Sequence, residues 1–324
     1  MRRREFITLL GGAATAWSFG AVAQQTRPTY LVGVLAQDLQ PGLLETFGDE
    51  LHKLGYVKDK NIRIELRNAV GHNDRLPALA DELLKLKVDV IVAVNTPAVQ
   101  AAKKATKTIP VVMMRVADPV KSGLVASLAR PGGNITGLSF MPEALGPKGI
   151  EMLHEIYPKT TRIAALYQGN NVGAAIIVDE VQQKGEQLGL TVARLPVKND
   201  GDYAGAFAKA SQAKSQALFV MDDGAITERR KHILELAAKY ALPVVSIYRD
   251  FAMSGGLIAY GPNLDVVYRR AADYVDKLLK GRPAATLPVE QPVSFYLAVN
   301  LKTAKALGVT IPQSILVLAD EVIE

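Results

Sequence analysis

The sequence predicts an α/β protein with two doubly wound parallel-sheet lobes, each sheet covered by helices on both faces. Three observations lead there. Short apolar runs alternate with longer stretches whose apolar residues recur at three- and four-residue spacing, the mark of strands alternating with amphipathic helices. That alternation restarts once, after about residue 160. The length of 324 residues also exceeds what one small core accommodates, so two domains are the natural expectation.

In the first series, Tyr30 to Ala36 reads as a buried strand. Leu43, Leu44, Phe47, Leu51 and Leu54 then stripe a helix that Gly55 ends. Ile62, Ile64 and Leu66 alternate with polar residues as a second strand. Leu76, Leu79, Leu83, Leu84 and Leu86 mark a second helix, and Val88 to Val94 is a continuous apolar strand. Thr96 and Pro97 suit the N-cap and first turn of a third helix, and Val111 to Met114 is a fourth strand. Asp118 and Pro119 repeat the cap-and-first-turn pattern. Val120, Leu124, Val125 and Leu128 then predict a helix that Arg130-Pro131-Gly132-Gly133-Asn134 stops, before a strand begins at Ile135.

In the second series, Arg162 to Tyr167, Leu190 to Leu195, Ala217 to Met221 and Pro243 to Ile247 read as strands. The helices between them are expected over Ala174 to Leu188, Tyr203 to Ala213 and Ala225 to Tyr240. Leu257 to Tyr260 is a further strand, and Val267, Ala271, Tyr274, Val275, Leu278 and Leu279 stripe a helix ending at Gly281. Leu287 to Pro292, with two prolines, reads as a crossing strand or linker. Leu301 to Leu307 is a short helix, and the tail ends in the apolar Ile315 to Leu318. Strands joined through helices imply right-handed crossovers and parallel sheets.

Apolar residues make up 49% and charged residues 22%, the balance of a globular protein rather than a disordered or fibrous one. The N-terminus reads as an export signal. Arg2, Arg3 and Arg4 precede the moderately apolar Phe6 to Phe19, and Ala21-Val22-Ala23 forms a small-x-small cleavage site before Gln24. Arg3-Arg4-Glu5-Phe6-Ile7 resembles the twin-arginine motif, with an ordinary secretory signal as the alternative. Residues 1–23 are therefore expected to be removed and the rest to work in the periplasm. Their removal leaves 35 basic against 31 acidic side chains. No basic tract interleaves with aromatics, so no nucleic-acid partner is expected. The absence of cysteine excludes disulfides, thiolate metal sites, cysteine nucleophiles and a lipid-modified cysteine.

The stretch Asp118 to Gly137, DPVKSGLVASLARPGGNITG, resembles a signature of ABC-transporter substrate-binding proteins related to the tryptophan-binding protein TrpX. The likeness continues in GGLIAYGPN (Gly255 to Asn263), in Ala271 to Gly308 and in IPQSILVLADEVIE (Ile311 to Glu324), and so covers nearly the whole exported chain. The resemblance implies a type I periplasmic binding protein, two lobes joined by three crossing segments. We place these near Leu138–Pro147, Tyr260–Asn263 and Ala285–Val293. Lobe I is then 28–138 plus 262–285, and lobe II 139–261 plus 286–324. It further implies a monomer that binds a small-molecule ligand, without a cofactor, and hands it to an ABC permease in the inner membrane.

In open parallel sheets, ligands bind beyond the carboxyl ends of the strands. The residues that follow the strands are polar throughout. The first half offers Gln37 and Asp38, Asn95 and Thr96, and Asp118. The second offers Gln168, Asn170 and Asn171, Asp222 and Asp223, and Tyr248 and Arg249. A structural explanation competes for four of them, because Thr96, Asp118, Asn171 and Asp223 stand where helix N-caps are expected. In the family that the sequence resembles, the corresponding loops contact the ligand, which favours Asn95, Thr96, Asp118, Asn170 and Asp222.

Helix N-termini suit a carboxylate, Asp118 or Asp222 an ammonium, and Tyr167 or Tyr248 an apolar or aromatic part. A small zwitterion, such as an amino acid, or an aromatic or other carboxylic acid is the expected ligand class. Arg115 and Arg249 are candidate carboxylate forks, with solvated or ion-paired roles as the alternative. The tyrosines at 157, 203, 240, 260 and 268 are expected to pack. Enzyme readings find little support. The histidines at 52, 72, 154 and 232 lie far apart without paired-ligand spacing, no G-x-S-x-G elbow occurs, and no G-x-G-x-x-G follows the first strand. The expected function is ligand binding for import. A sensor for a membrane receptor is the first alternative, and a periplasmic enzyme on the same scaffold the second.

Overall fold

A computed structural model of the protein describes residues 29–39, 41–221, 223–291 and 294–324. Residues 1–23, expected to be an export signal, and the candidate Asp222 lie outside the described residues. The first half forms β1 (Tyr30–Ala36), α1 (Pro41–Lys53), β2 (Ile62–Asn68), α2 (Leu76–Lys85), β3 (Val90–Val94), α3 (Thr96–Ala105), β4 (Val111–Ala117) and β5 (Ile135–Phe140). Its five strands are all parallel, in the order β2-β1-β3-β4-β5. Every residue of β3 is buried, as a strand with helices on both faces requires. At the edge, β2 carries Arg63, Glu65 and Arg67, charges that discourage pairing with another chain.

The second half adds α4 (Pro142–Ile156), β6 (Arg162–Gln168), α5 (Val172–Gln187), β7 (Thr191–Val197), α6 (Asp202–Gln212), β8 (Leu218–Met221), α7 (Gly224–Glu228), α8 (Arg230–Lys239), β9 (Val244–Ser246), α9 (Arg249–Met253) and β10 (Ile258–Pro262). The chain ends with α10 (Leu264–Leu279), β11 (Phe295–Asn300), α11 (Leu301–Ala306), α12 (Gln313–Leu318) and β12 (Glu321–Ile323). The second sheet has the order β12-β11-β10-β9-β8-β6-β7, parallel except where β11 runs against β10. The chain crosses between the lobes three times: between β5 and α4, at Asn263 between β10 and α10, and between α10 and β11.

Each sheet is packed on both faces. Lobe I has one core with α1 and α10 around Phe47, Leu51, Tyr268 and Tyr274, and another with α2 and α3 around Leu83 and Val99. Lobe II has α4 and α5 on one face around Phe219 and Ile177, and α6 and α8 on the other around Phe207 and Ile233. Helix α10 follows β10 in sequence yet packs on lobe I, because its buried stripe completes that core.

The structure differs from the sequence reading in three places. No helix forms after Asp118. The Asp118 backbone takes φ 36° and Gly123 takes φ +66°, so the chain closes into turns held by Leu124 N–H donating to Pro119 O at 2.8 Å. Leu124 and Val125 are buried, as their spacing implied, but against α3 from a loop. The stretch 138–147 does hold a crossing, at Met141, but it is otherwise the end of β5 and the first turns of α4, a helix not expected from the sequence, with Pro147 inside it. Prolines and glycines hid that helix in the sequence. Gly146 is required by packing, since a methyl there would collide with Val181 and sit 3.2 Å from Ile177. Phe295–Asn300, unassigned from the sequence, is the antiparallel strand β11.

Candidate functional site

The carboxyl ends of the two sheets face each other, and their polar residues meet. Gln37, Asn95, Arg115, Asp223 and Tyr248 are each no more than 4% exposed, so the contact between the lobes is closed to solvent at its centre. Asp223 organises the lobe II side. One carboxylate oxygen accepts from the Ala225 and Ile226 N–H groups at 3.2 and 3.4 Å, capping α7. The other accepts from Asn171 Nδ2 at 2.9 Å and, across the lobes, from Gln37 Nε2 at 3.4 Å. Asn171 caps α5 with the oxygen of the same amide, accepting from Gly173 and Ala174 N–H at 2.9 and 3.3 Å. The capping explanation therefore accounts for part of Asn171 and Asp223, and the joint between them accounts for the rest.

Arg115 is placed by an irregularity in β4. Its backbone takes φ 55° where the β4–β5 register shifts between Met113 and Val116, which turns an arginine out of a fully buried strand toward the other lobe. Its Nε donates to the Tyr248 hydroxyl at 3.2 Å, and its guanidinium lies 4.5 Å from the Tyr248 ring centroid. Phe140 flanks the same ring at 6.4 Å. Burial pushes the carboxyls of Asp38 and Asp223 above the ordinary range. The Arg115 charge works against that rise at Asp38, and the Asn171 hydrogen bond against it at Asp223.

Two buried polar atoms at these strand ends, Gln37 Oε1 and Asn95 Nδ2, have no hydrogen-bond partner among the described residues, and neither has Ser139 Oγ, which lies beside α10 with Val267 and Arg270. Buried polar atoms are normally satisfied. Asn95 is also the N-cap of α3 at φ 73°, and its side chain makes no cap bond, leaving that helix N-terminus without side-chain acceptors. A cavity of about 450 Å³ opens beside the cluster between the lobes. Leu43 and Asp265 line it from lobe I, and Tyr248, Arg249 and Tyr296 from lobe II.

The other sequence-derived candidates are placed unevenly. Thr96 is buried at the start of α3, directly against Gly173 of the other lobe. Gln168 donates to Asn170 Oδ1 at 2.9 Å, and the exposed Asn170 accepts from Asn73 Nδ2 of lobe I at 3.2 Å, a bond at the rim. Asp118 also stays at the rim, where its carboxylate accepts from Lys121 N–H at 2.9 Å. Lys121 in turn reaches Glu180 of lobe II at 3.4 Å. Two candidates pair within lobe II. The Tyr167 hydroxyl accepts from Arg194 of β7 at 3.2 Å, and the Arg194 guanidinium lies 5.3 Å from its ring centroid. Arg249 lines the cavity but is held by Glu321 through bonds of 2.6 and 2.9 Å, with Tyr296 donating to the same carboxylate at 2.6 Å. It is ion-paired rather than a waiting carboxylate fork.

Sequence reasoning missed Ser139 and Asn73. Ser139 is a lone hydroxyl in an otherwise apolar strand end, a signal obscured because that stretch read as a crossing segment. Among the described residues no group of His, Cys, Asp and Glu is placed to hold a metal, and no helix is long and apolar enough to cross a membrane.

A family model described as "ABC transporter substrate binding protein" matches residues 36–323. A tyrosine-binding protein of Clostridioides difficile (strain R20291) is 28% identical over 257 residues, covering 79% of this chain and 74% of that protein. An ABC domain from Streptococcus pneumoniae solved in complex with L-Trp is 27% identical and superposes with a TM-score of 0.85, covering 91% of this chain and 100% of that one. A ligand-free, open substrate-binding protein with adhesive properties from Clostridium difficile is 26% identical, covers 88% and 96% of the two chains, and superposes with a TM-score of 0.64. At nearly equal identity the lobes match the L-Trp complex much better than the open form, in keeping with the buried contacts between them.

Proposed function

The chain belongs to the family of ABC transporter substrate-binding proteins, and on that premise we propose that it is the periplasmic solute-binding component of an importer, with an aromatic amino acid as its ligand. The observation that carries this reading is the cluster of buried polar groups supplied by both lobes, two of whose atoms, Gln37 Oε1 and Asn95 Nδ2, lack partners among the described residues. A zwitterion meets those needs. Its carboxylate has the uncapped start of α3, Asn95 Nδ2 and the Arg115 guanidinium within the same region, and its ammonium suits the carboxylate side of the cluster. An aromatic side chain fits the adjoining cavity of about 450 Å³, whose walls include Tyr248, Tyr296 and Leu43. Relatives described as binding tyrosine and L-Trp support the same ligand class.

In this reading the ligand touches both lobes only when they close, so it favours the closed form by its differential affinity for that form. The closed pair of lobes is what an inner-membrane permease recognises, and the ligand is released chemically intact. The protein works as a monomer after loss of the export segment.

One feature of the sequence makes the test direct. The single tryptophan is Trp17, inside the expected export segment, so the chain from Gln24 onward contains none. The emission of added L-Trp is then the only indole signal and reports its own burial. We expect saturable, blue-shifted emission with L-Trp, competition by L-Tyr or a related aromatic acid, and recovery of unaltered ligand by mass spectrometry. Binding confined to sugars or polyamines, or chemical conversion of the ligand, would overturn the proposal.

A further inference from the structure

Glycines line the places where the lobes touch. A methyl carbon at Gly173, the second residue of α5, would lie 3.1 Å from Thr96 Cβ of lobe I and closer still to the Thr96 hydroxyl. A methyl at Gly224, the first residue of α7, would lie 3.0 Å from Asp38 N and 3.1 Å from Gln37 C, and would overlap Asp38 Cβ. In the reverse direction, a methyl at Gly71 of lobe I would lie 2.7 Å from the Ala225 Cα of lobe II. At Gly224 and Gly71 the obstacles are backbone and Cβ atoms, which cannot swing aside as the end of a long side chain can; at Gly173 the nearest is the rotatable Thr96 hydroxyl, with Thr96 Cβ behind it.

We propose that Gly173 and Gly224, with Gly71 opposite, act as positioning residues for ligand binding: they set how closely the lobes approach, and thereby how tightly a ligand is held. The inference rests on the solute-binding reading above. The nearest obstacle at each position belongs to the other lobe, so a larger residue penalises closure first, although at Gly173 the methyl would also lie 3.3 Å from Asn171 Oδ1 of its own lobe. Gly173 and Gly224 start helices without a left-handed backbone, and alanine there favours the helix. Gly71 has φ +76°, so a substitution there would also strain its own turn, and it is less informative. The hydrogen bond from Gln37 to Asp223 runs beside Gly224, and Asn171 joins Asp223 to the start of α5. Separating the lobes at either glycine therefore breaks the same joint.

The test compares Gly173→Ala and Gly224→Ala with Gly205→Ala, an exposed position on α6 where a methyl meets nothing within 4 Å. Thermal melting, small-angle scattering with saturating L-Trp, and L-Trp affinity are measured for each. We expect both interface variants to melt at or above the wild-type temperature, to retain a larger radius of gyration with ligand, and to bind about tenfold or more weakly. Gly205→Ala should match the wild type in scattering and affinity. Thr96→Gly combined with Gly173→Ala removes the obstacle and should restore compaction with saturating L-Trp; scattering alone is the readout for it, because Thr96 is itself a candidate ligand contact. Interface variants that close and bind like the wild type would overturn the proposal, as would failure of the double variant to recover. If the wild type binds no aromatic amino acid, the solute reading fails by itself. A paramagnetic label on each lobe, read without ligand, then still decides whether alanine moves the lobes apart.

Discussion

Asn171 offers the sharpest test of how the joint is built, because its two amide atoms do different things. The oxygen accepts from two N–H groups at the start of α5, and the nitrogen donates to Asp223 at 2.9 Å, all in a side chain that is 4% exposed. Asn171→Ser keeps a cap and loses the donor, and a lost hydrogen bond to a buried carboxylate costs about 1.5–3 kcal/mol. Asn171→Ala also loses the cap, worth about 1 kcal/mol more. Asn171→Asp keeps the cap and brings a carboxylate to the carboxylate of Asp223.

The sign of the pH dependence follows from burial. The Asp223 carboxyl is already pushed above the ordinary range, so the folded state holds its proton more tightly than the unfolded chain does. Its contribution to stability is full below the unfolded value near 3.8 and is lost as pH rises through the folded value. A second acid at 171 raises that folded value further and deepens the loss. Urea unfolding at pH 4.5 and 7.5 should show Asn171→Ser destabilised by about 2 kcal/mol at both. Asn171→Asp, which also lacks the donor, should be weaker than wild type at both and lose more at the higher pH. Equal stability of Asn171→Asp and wild type at pH 7.5 would refute the assignment of Asn171 Nδ2 to Asp223.

Three further outcomes are expected. Tyr248→Phe keeps the ring beside Arg115 but removes the hydroxyl that accepts from its Nε, so L-Trp titration should show affinity reduced about tenfold, with melting nearly unchanged. Glu321, held at about 2 by Arg249, contributes stability that is present above its ordinary value of 4.5 and lost as pH falls toward 2. The pair is partly open to solvent, so its contribution after screening is about 1 kcal/mol, and acid titration of Glu321→Gln should show that step missing. Phe219→Ala empties a fully buried site in lobe II and should cost about 3–5 kcal/mol by denaturant unfolding, a loss that L-Trp binding only partly offsets.

Most elements were legible because their signals are local. The run VIVAV at Val90–Val94 has no polar residue to place on a solvent face, so it could only be a strand covered on both sides. The stripe of α10 was equally plain, although nothing in it says which lobe it would cover. The helix expected after Asp118 failed because its apolar spacing fits a turn-rich loop packed on α3 just as well, and Gly123 breaks the helical path. Helix α4 was missed because contacts with α5, absent from any local pattern, stabilise a segment rich in proline and glycine. At the site, the rule that ligands meet strand ends found Gln37, Asn95, Thr96, Asn171, Asp223 and Tyr248. The same rule named Tyr167 and Arg249, which in the structure also pair with Arg194 and Glu321, 27 and 72 residues away in the chain.

The sequence by itself determined the two α/β series, the polar residue types at the strand ends and the family signature, because periodicity and composition act over a few residues. Only the tertiary structure decided which of those polar groups share one buried joint, which pair elsewhere, and that glycines stand where the lobes press together. Those outcomes depend on surfaces brought together from distant parts of the chain, where burial and closeness, not residue type alone, fix what each side chain does.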